Sequence, residues 1–176
     1  ISQRGGLLIA SNHISGLDPP LVGFAATREL HFLAKRELFE NPLLGWLIST
    51  YNAIPIKRGA TDRAALKKAV ELMRQGEALL VFPEGTRSRD GRLGEAKPGL
   101  GMIALSTEAT IVPAFISGTN QPLRSLIRRK CRVIVNFGEP IGPEHYRGLK
   151  PTKEGYYSLT REVMERIRRL EESVLG

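Results

Sequence analysis

The 176-residue chain is long enough for one domain with a substantial core, and its 41% apolar and 25% charged residues are an ordinary globular balance. One cysteine, Cys131, excludes an internal disulfide, and no stretch reaches the roughly 18 uninterrupted apolar residues of a membrane-spanning helix. A formal charge of +8 favours anionic partners, but aromatic residues at 6% are few for base stacking and no nucleic-acid module is present, which argues against nucleic acid.

The chain opens at Ile1 without an initiator methionine or a visible signal peptide, which points to a longer native N-terminus. With no internal repeat or low-complexity linker, residues 1–176 read as a single domain. The first apolar run, "GLLIA" (6–10), is short and bounded by polar residues, as a buried strand is. It leads into "SNHISGLDPP" (11–20), which sets His13 and Asp18 five residues apart. In a continuous helix five residues turn by about 500°, so the two side chains meet only through a bend, which Gly16 permits. One reading is a histidine base oriented by a carboxylate at the end of a strand, where open α/β sheets place their ligands. The other is a turn histidine followed by an N-capping Asp18, with Pro19 at the first position of a helix over 19–27.

Further strands are expected at "LHFLA" (30–34) and "NAIPI" (52–56), with an apolar helix over 42–50 that is either buried or set in a membrane interface. Lys35 and Arg36 follow the former strand, and Lys57 and Arg58 the latter. Residues 61–75 read as a helix capped by Thr61, with Ala65, Ala69, Leu72 and Met73 at helical spacing. The strand "EALLVF" (77–82) runs into Pro83 and the turn Glu84-Gly85-Thr86-Arg87-Ser88. Glycine frees backbone N–H groups to face an anion, and hydroxyls and a guanidinium add donors; a solvated basic turn is the plainer alternative.

A short apolar helix over 99–108, strands "TIVPAFI" (110–116) and "CRVIVNF" (131–137), and an amphipathic helix over 155–174 complete the chain. Strands alternating with helices indicate an α/β fold, a largely parallel sheet covered by helices with its site at the strand carboxyl ends. There the base, the acid and the strand-end cations would gather as a site for an anionic substrate. "GLGMIA" (99–104) fits a dinucleotide pattern but follows no strand, and there is no Walker A sequence or G-x-S-x-G elbow. His31 reads as a strand residue and His145 as a loop residue; with Cys131 they lack metal-ligand spacing, so no metal is expected.

"NHISGLD" resembles the N-H-x4-D motif of glycerolipid acyltransferases, and "FPEGTRS" resembles their second signature about 70 residues later. "AIPIKR" is similar to the G-x-I-x-I-x-R block and "IVPAFISG" to the V-P-x-x-I-x-G block. The resemblance implies that His13 is the base and Asp18 its partner. It also implies that Lys35, Arg58 and the turn Glu84, Gly85, Thr86 and Arg87 hold a glycerol phosphate or stabilise developing charge.

The implied reaction moves a fatty acyl group from a thioester of coenzyme A or acyl carrier protein to the free hydroxyl of 1-acylglycerol 3-phosphate, without a cofactor. The acceptor could equally be glycerol 3-phosphate or another lysolipid. A non-catalytic binder of anionic lipid would explain the charge but not the His-Asp pair. Residues 42–50 and "PLRSLIRRK" (122–130) combine apolar groups and cations suited to an anionic membrane surface. The family also implies an N-terminal membrane-associating segment and a peripheral or monotopic place on the cytoplasmic face of the cell membrane.

Overall fold

The computed structural model describes residues 6–50, 52–56, 63–121 and 132–176. The strands are β1 (Leu7–Ser11), β2 (Leu30–Lys35), β3 (Ala53–Ile56), β4 (Ala78–Val81), β5 (Thr110–Ser117) and β6 (Ile134–Phe137). The helices are α1 (Asp18–Ala25), α2 (Pro42–Thr50), α3 (Arg63–Arg74), α4 (Gly99–Thr107), α5 (Pro143–Tyr146) and α6 (Lys153–Leu175), with a 3-10 turn at Arg36–Phe39. Every expected strand and helix is present, with ends displaced by up to three residues. The exception to the expected loops is "PEHY", where Gly142 and Pro143 start a short helix that carries His145. Arg58, Thr61, Cys131 and the basic segment 122–130 lie outside the described residues.

The sheet runs in the order β3-β2-β4-β1-β5-β6. All pairings are parallel except β5 with β6, which is antiparallel. β1 sits in the middle, and all five of its residues are buried, as a strand covered on both faces must be. Its alternate side chains feed two cores. Leu8 and Ala10 pack with Leu79, Val81, Ile111 and Phe115 beneath residues of α3, α4 and α6. Leu7 and Ile9 join Leu80, Val112 and Ile116 on the opposite face, against Val22 of α1 and Ile48 of α2.

This division has a topological cause. From β1 the chain steps outward to β2 and β3 through α1 and α2, then returns through α3 and α4 to lay β4 and β5 on either side of β1. Right-handed crossovers send the outward helices to one face and the returning helices to the other. The connections leaving the neighbours β1 and β4 therefore part to opposite faces. A crevice opens between their carboxyl ends, the usual ligand position in an open α/β sheet. Pro55 has no N–H to give a ladder, and β3 is an edge strand, where that loss is tolerated.

On the returning face, α6 presents Leu159, Val163 and Ile167, four residues apart, to the core. Its start is fixed by Thr152, whose hydroxyl accepts from the Gly155 N–H at 3.3 Å. Helices α4 and α6 touch backbone to backbone: a Cβ at Gly101 would lie 2.2 Å from the Tyr156 carbonyl oxygen. The Thr160 hydroxyl stitches the contact, accepting from Gly101 N and donating to Tyr156 O.

Helix α2 is not a wholly buried helix. Its Leu43 and Trp46 are 77% and 66% exposed. It leans on the preceding turn through Gly45, where a Cβ would sit 2.8 Å from the Phe39 carbonyl oxygen.

Candidate active site

His13 and Asp18 meet in the loop between β1 and α1. The His13 Nδ1 and an Asp18 carboxylate oxygen, Oδ2, are 2.8 Å apart. The loop bends so that the Ile14 and Ser15 N–H groups also donate to Oδ2, each at 2.7 Å. The other oxygen, Oδ1, accepts from the Thr119 hydroxyl at 2.6 Å. Asp18 is fully buried and its carboxylate is surrounded by donors. An acceptor-only group of this kind assigns the proton to His13 Nδ1 and leaves Nε2 as the basic nitrogen.

Asp18 does not cap α1. It is the first helical residue, the N-cap position belongs to Leu17, and no side-chain cap bond forms. Pro20, at the N2 position of such a cap, has no N–H to offer, and the N3 N–H, of Leu21, donates instead to the Leu17 carbonyl at 3.2 Å. The carboxylate is thereby free to turn back onto the loop and the histidine.

The loop after β4 supplies the other wall. The Phe82 ring stacks on the His13 ring at a centroid distance of 3.9 Å and 16° between planes. Gly85 closes a turn by donating to the Phe82 carbonyl at 2.9 Å, with φ of +70°, a conformation that favours glycine. Ser88 N donates to the His13 carbonyl at 2.7 Å, tying the two loops together.

Glu84 is 4% exposed and turned inward. One carboxylate oxygen accepts from His13 N at 3.1 Å and the other from Gly94 N at 2.8 Å. The structure thus places Glu84 as a brace behind the histidine backbone. A Cβ at position 94 would come within 2.8 Å of the same carboxylate.

Burial pushes the Glu84 carboxyl above its ordinary value of 4.5, against the opposing pull of the Gly94 and His13 N–H groups. The folded protein therefore holds this proton to higher pH than the unfolded chain does. The resulting stability is fully present below pH 4.5 and is lost as pH rises through the folded value. In urea unfolding at a series of pH values, the stability of the wild type relative to Glu84→Gln is expected to decline across that window. A constant difference would contradict it.

Lys35, Gly85, Thr86 and Arg87 line a cleft of about 150 Å³ together with His13. A larger, mainly apolar cavity of about 410 Å³ adjoins the same histidine, bounded by Leu17, Pro19, Phe32, Leu33, Leu38, Ile48 and Phe82. Lys35 and Arg87 border both. The structure therefore gathers His13, Asp18, Lys35 and the Gly85–Arg87 turn at one rim.

Sequence reasoning missed Thr119, Asn12 and the ring platform of Phe82. Asn12 is buried, and its amide clamps Ile116 of β5, accepting from its N at 2.7 Å and donating to its O at 2.9 Å. No local signal could have linked Asp18 to Thr119, 101 residues away.

A histidine held by a buried carboxylate thus sits at the carboxyl edge of a covered, mostly parallel sheet, between a cationic cleft and an apolar cavity. Residues 1–117 match the family model Acyltransferase, and the chain belongs to that family. It is 31% identical over 168 residues to the 1-acyl-sn-glycerol-3-phosphate acyltransferase of Bacillus subtilis, covering 94% of this chain and 81% of that one. The Streptococcus pneumoniae protein of the same name is 30% identical, with 97% of this chain and 62% of its own covered. The chloroplastic Arabidopsis thaliana protein is 36% identical over 63% of this chain, which spans 32% of its length. The crystal structure of the 1-acyl-sn-glycerophosphate acyltransferase PlsC from Thermotoga maritima superposes with a TM-score of 0.66 at 33% identity, covering 94% of this chain and 66% of that one.

Proposed function

We propose that the protein transfers a fatty acyl group from an acyl thioester, of coenzyme A or acyl carrier protein, to the free hydroxyl of 1-acylglycerol 3-phosphate, giving phosphatidate. The observation that carries this is the 2.8 Å His13–Asp18 contact between a cationic cleft and an apolar cavity, in a chain whose relatives bear that activity in their names.

The acceptor is an alcohol, too weak an acid for an imidazole of pKa about 6.5 to ionise beforehand. His13 Nε2 instead takes the hydroxyl proton as the oxygen attacks the thioester carbonyl carbon, so no free alkoxide forms. Asp18 holds the tautomer and stabilises the imidazolium. The tetrahedral intermediate then collapses with cleavage of the C–S bond. The departing thiolate recovers the proton from Nε2, leaving ester, thiol and neutral His13. The thioester is already activated, so no acyl-enzyme is needed.

Lys35, Arg87 and the Gly85–Thr86 turn would grip the acceptor phosphate, and Arg58 is proposed to add a further cation. Fixing the phosphate positions the distant hydroxyl, where orientation can contribute about 7–11 kcal/mol. Glu84, with both oxygens on backbone N–H groups, serves here by holding the histidine loop. Arg87→Ala is expected to raise KM for lysophosphatidate at least tenfold, the order of a lost charged hydrogen bond. KM for an uncharged monoacylglycerol should barely change, and equal effects on both acceptors would remove the phosphate role.

The apolar cavity has the size and lining of a small-ligand site and suits an acyl chain. Exposed Leu43 and Trp46 on α2, with Phe24 on α1 at 92% exposure, support contact with a membrane. Among the described residues no helix is long and apolar enough to cross one. Those exposed apolar side chains and the +8 charge support a peripheral place on an anionic leaflet, at the cytoplasmic face of the cell membrane. Sedimentation with vesicles is expected to be stronger with anionic than with zwitterionic lipid; equal binding would rule out the electrostatic part.

A further inference from the structure

We infer that Thr119 is a positioning residue for the His13–Asp18 pair, its hydroxyl setting the charge and plane of the Asp18 carboxylate. This rests on the reading of His13 as the base.

The two oxygens of Asp18 are unequally served. Oδ2 receives three donors, His13 Nδ1 and the N–H groups of Ile14 and Ser15, all contributed by the loop itself. Oδ1 is held by the Thr119 hydroxyl at 2.6 Å, brought from the far end of β5. Thr119 is 2% exposed and Asp18 fully buried, so water cannot replace a missing donor at that oxygen without opening the core.

The placement of Thr119 is built into the fold. The Asn12 amide bonds both backbone groups of Ile116, locking the end of β1 to the end of β5 beside His13. The chain then turns at Gly118, whose φ is +82° and where a Cβ would fall 2.0 Å from the Arg132 carbonyl oxygen. That turn delivers Thr119 to Asp18.

A donor on Oδ1 spreads the carboxylate charge away from the imidazole. Removing it concentrates that charge on the side of His13, so the imidazolium is favoured and the free base becomes scarcer near neutral pH. The other groups facing the pair act alongside. Glu84 braces the histidine loop and feels both charges. Lys35 and Arg87 border the cleft that His13 lines, and they are untouched by a change at Thr119.

The test is a comparison of Thr119→Val with Thr119→Ser, read in two ways. The acid limb of the kcat/KM profile reports the free enzyme's base. The imidazole NMR titration of His13, assigned by its loss in His13→Ala, reports the same group without substrate. Thr119→Val is expected to move both midpoints to higher pH. It should lower kcat at neutral pH by about 10–100-fold, by analogy with outer partners of metal-bound histidines, while KM stays within about twofold. Thr119→Ser should restore both midpoints. Should Thr119→Val not fold, Thr119→Ala removes the same donor without inserting new bulk and carries the same expectation.

Unmoved midpoints in the hydroxyl-free variants, or a Thr119→Ser protein that behaves like them, would overturn the role of Thr119. Neither result would touch the reading of His13, which stands or falls with the activity of His13→Ala.

Discussion

His13→Ala is expected to lower kcat for acyl transfer by about 10²–10⁴-fold, the range of a lost general base. The fold should survive. The side chain is partly exposed and forfeits its stacking on Phe82, about 0.5–1.5 kcal/mol. The backbone N–H of residue 13 still reaches Glu84, and the carbonyl still accepts from Ser88. Asp18 keeps its three other donors. Substrate grips lie elsewhere, on Lys35, Arg87 and the apolar cavity, so KM should change little. Steady-state rates in detergent beside a thermal melt separate these effects. A variant that melts normally and turns over at nearly the wild-type rate would remove His13 from the chemistry.

Asp18 has the second large expected effect, and its two substitutions separate structure from charge. Asp18→Ala strands four donors: the buried Thr119 hydroxyl and the partly buried His13 Nδ1 and N–H groups of Ile14 and Ser15. An unsatisfied buried group costs about 1–3 kcal/mol and a partly buried one less, so a summed loss of about 3 kcal/mol is expected in urea unfolding. Asp18→Asn keeps an acceptor oxygen where Oδ2 stands and puts an amide where Oδ1 stands, facing a Thr119 hydroxyl that can rotate to accept. It should fold with much smaller loss yet lower kcat by about 10²–10⁴-fold, because a neutral amide cannot stabilise the imidazolium. Near-normal turnover by a folded Asp18→Asn would show that the carboxylate charge plays no part in catalysis.

The His-Asp pair was legible because local chemistry decides it. Gly16 permits a bend, and a bend is what the spacing requires. The N-cap reading of Asp18 failed because the helix starts one residue earlier than that reading requires: Pro20 lacks an N–H and the Leu21 N–H goes to the Leu17 carbonyl. The strands were legible as short apolar runs, but their order was not. Nothing in "EALLVF" says that β4 inserts between β2 and β1, nor in "CRVIVNF" that β6 runs antiparallel. Those facts depend on right-handed crossovers and on which face each helix can cover.

Contacts across that order were equally hidden. Asn12 to Ile116 and Asp18 to Thr119 each span about a hundred residues and exist only once β5 lies beside β1. Glu84 illustrates a subtler gap. Its place in a polar turn suggested substrate contact, whereas the fold buries it against the His13 and Gly94 backbones. Residue type could not separate those fates, because the bonds of a buried carboxylate depend on which N–H groups the neighbouring loop aims at it.

The most direct test is to incubate the protein in detergent with a labelled acyl thioester and an equimolar mixture of lysophosphatidate, glycerol 3-phosphate and lysophosphatidylcholine, and to weigh the products by mass spectrometry. Phosphatidate as the main product, with one thiol released per ester formed and none without acceptor, is the predicted result. Acylation chiefly of another acceptor, or thiol release that ignores the acceptor, would contradict it.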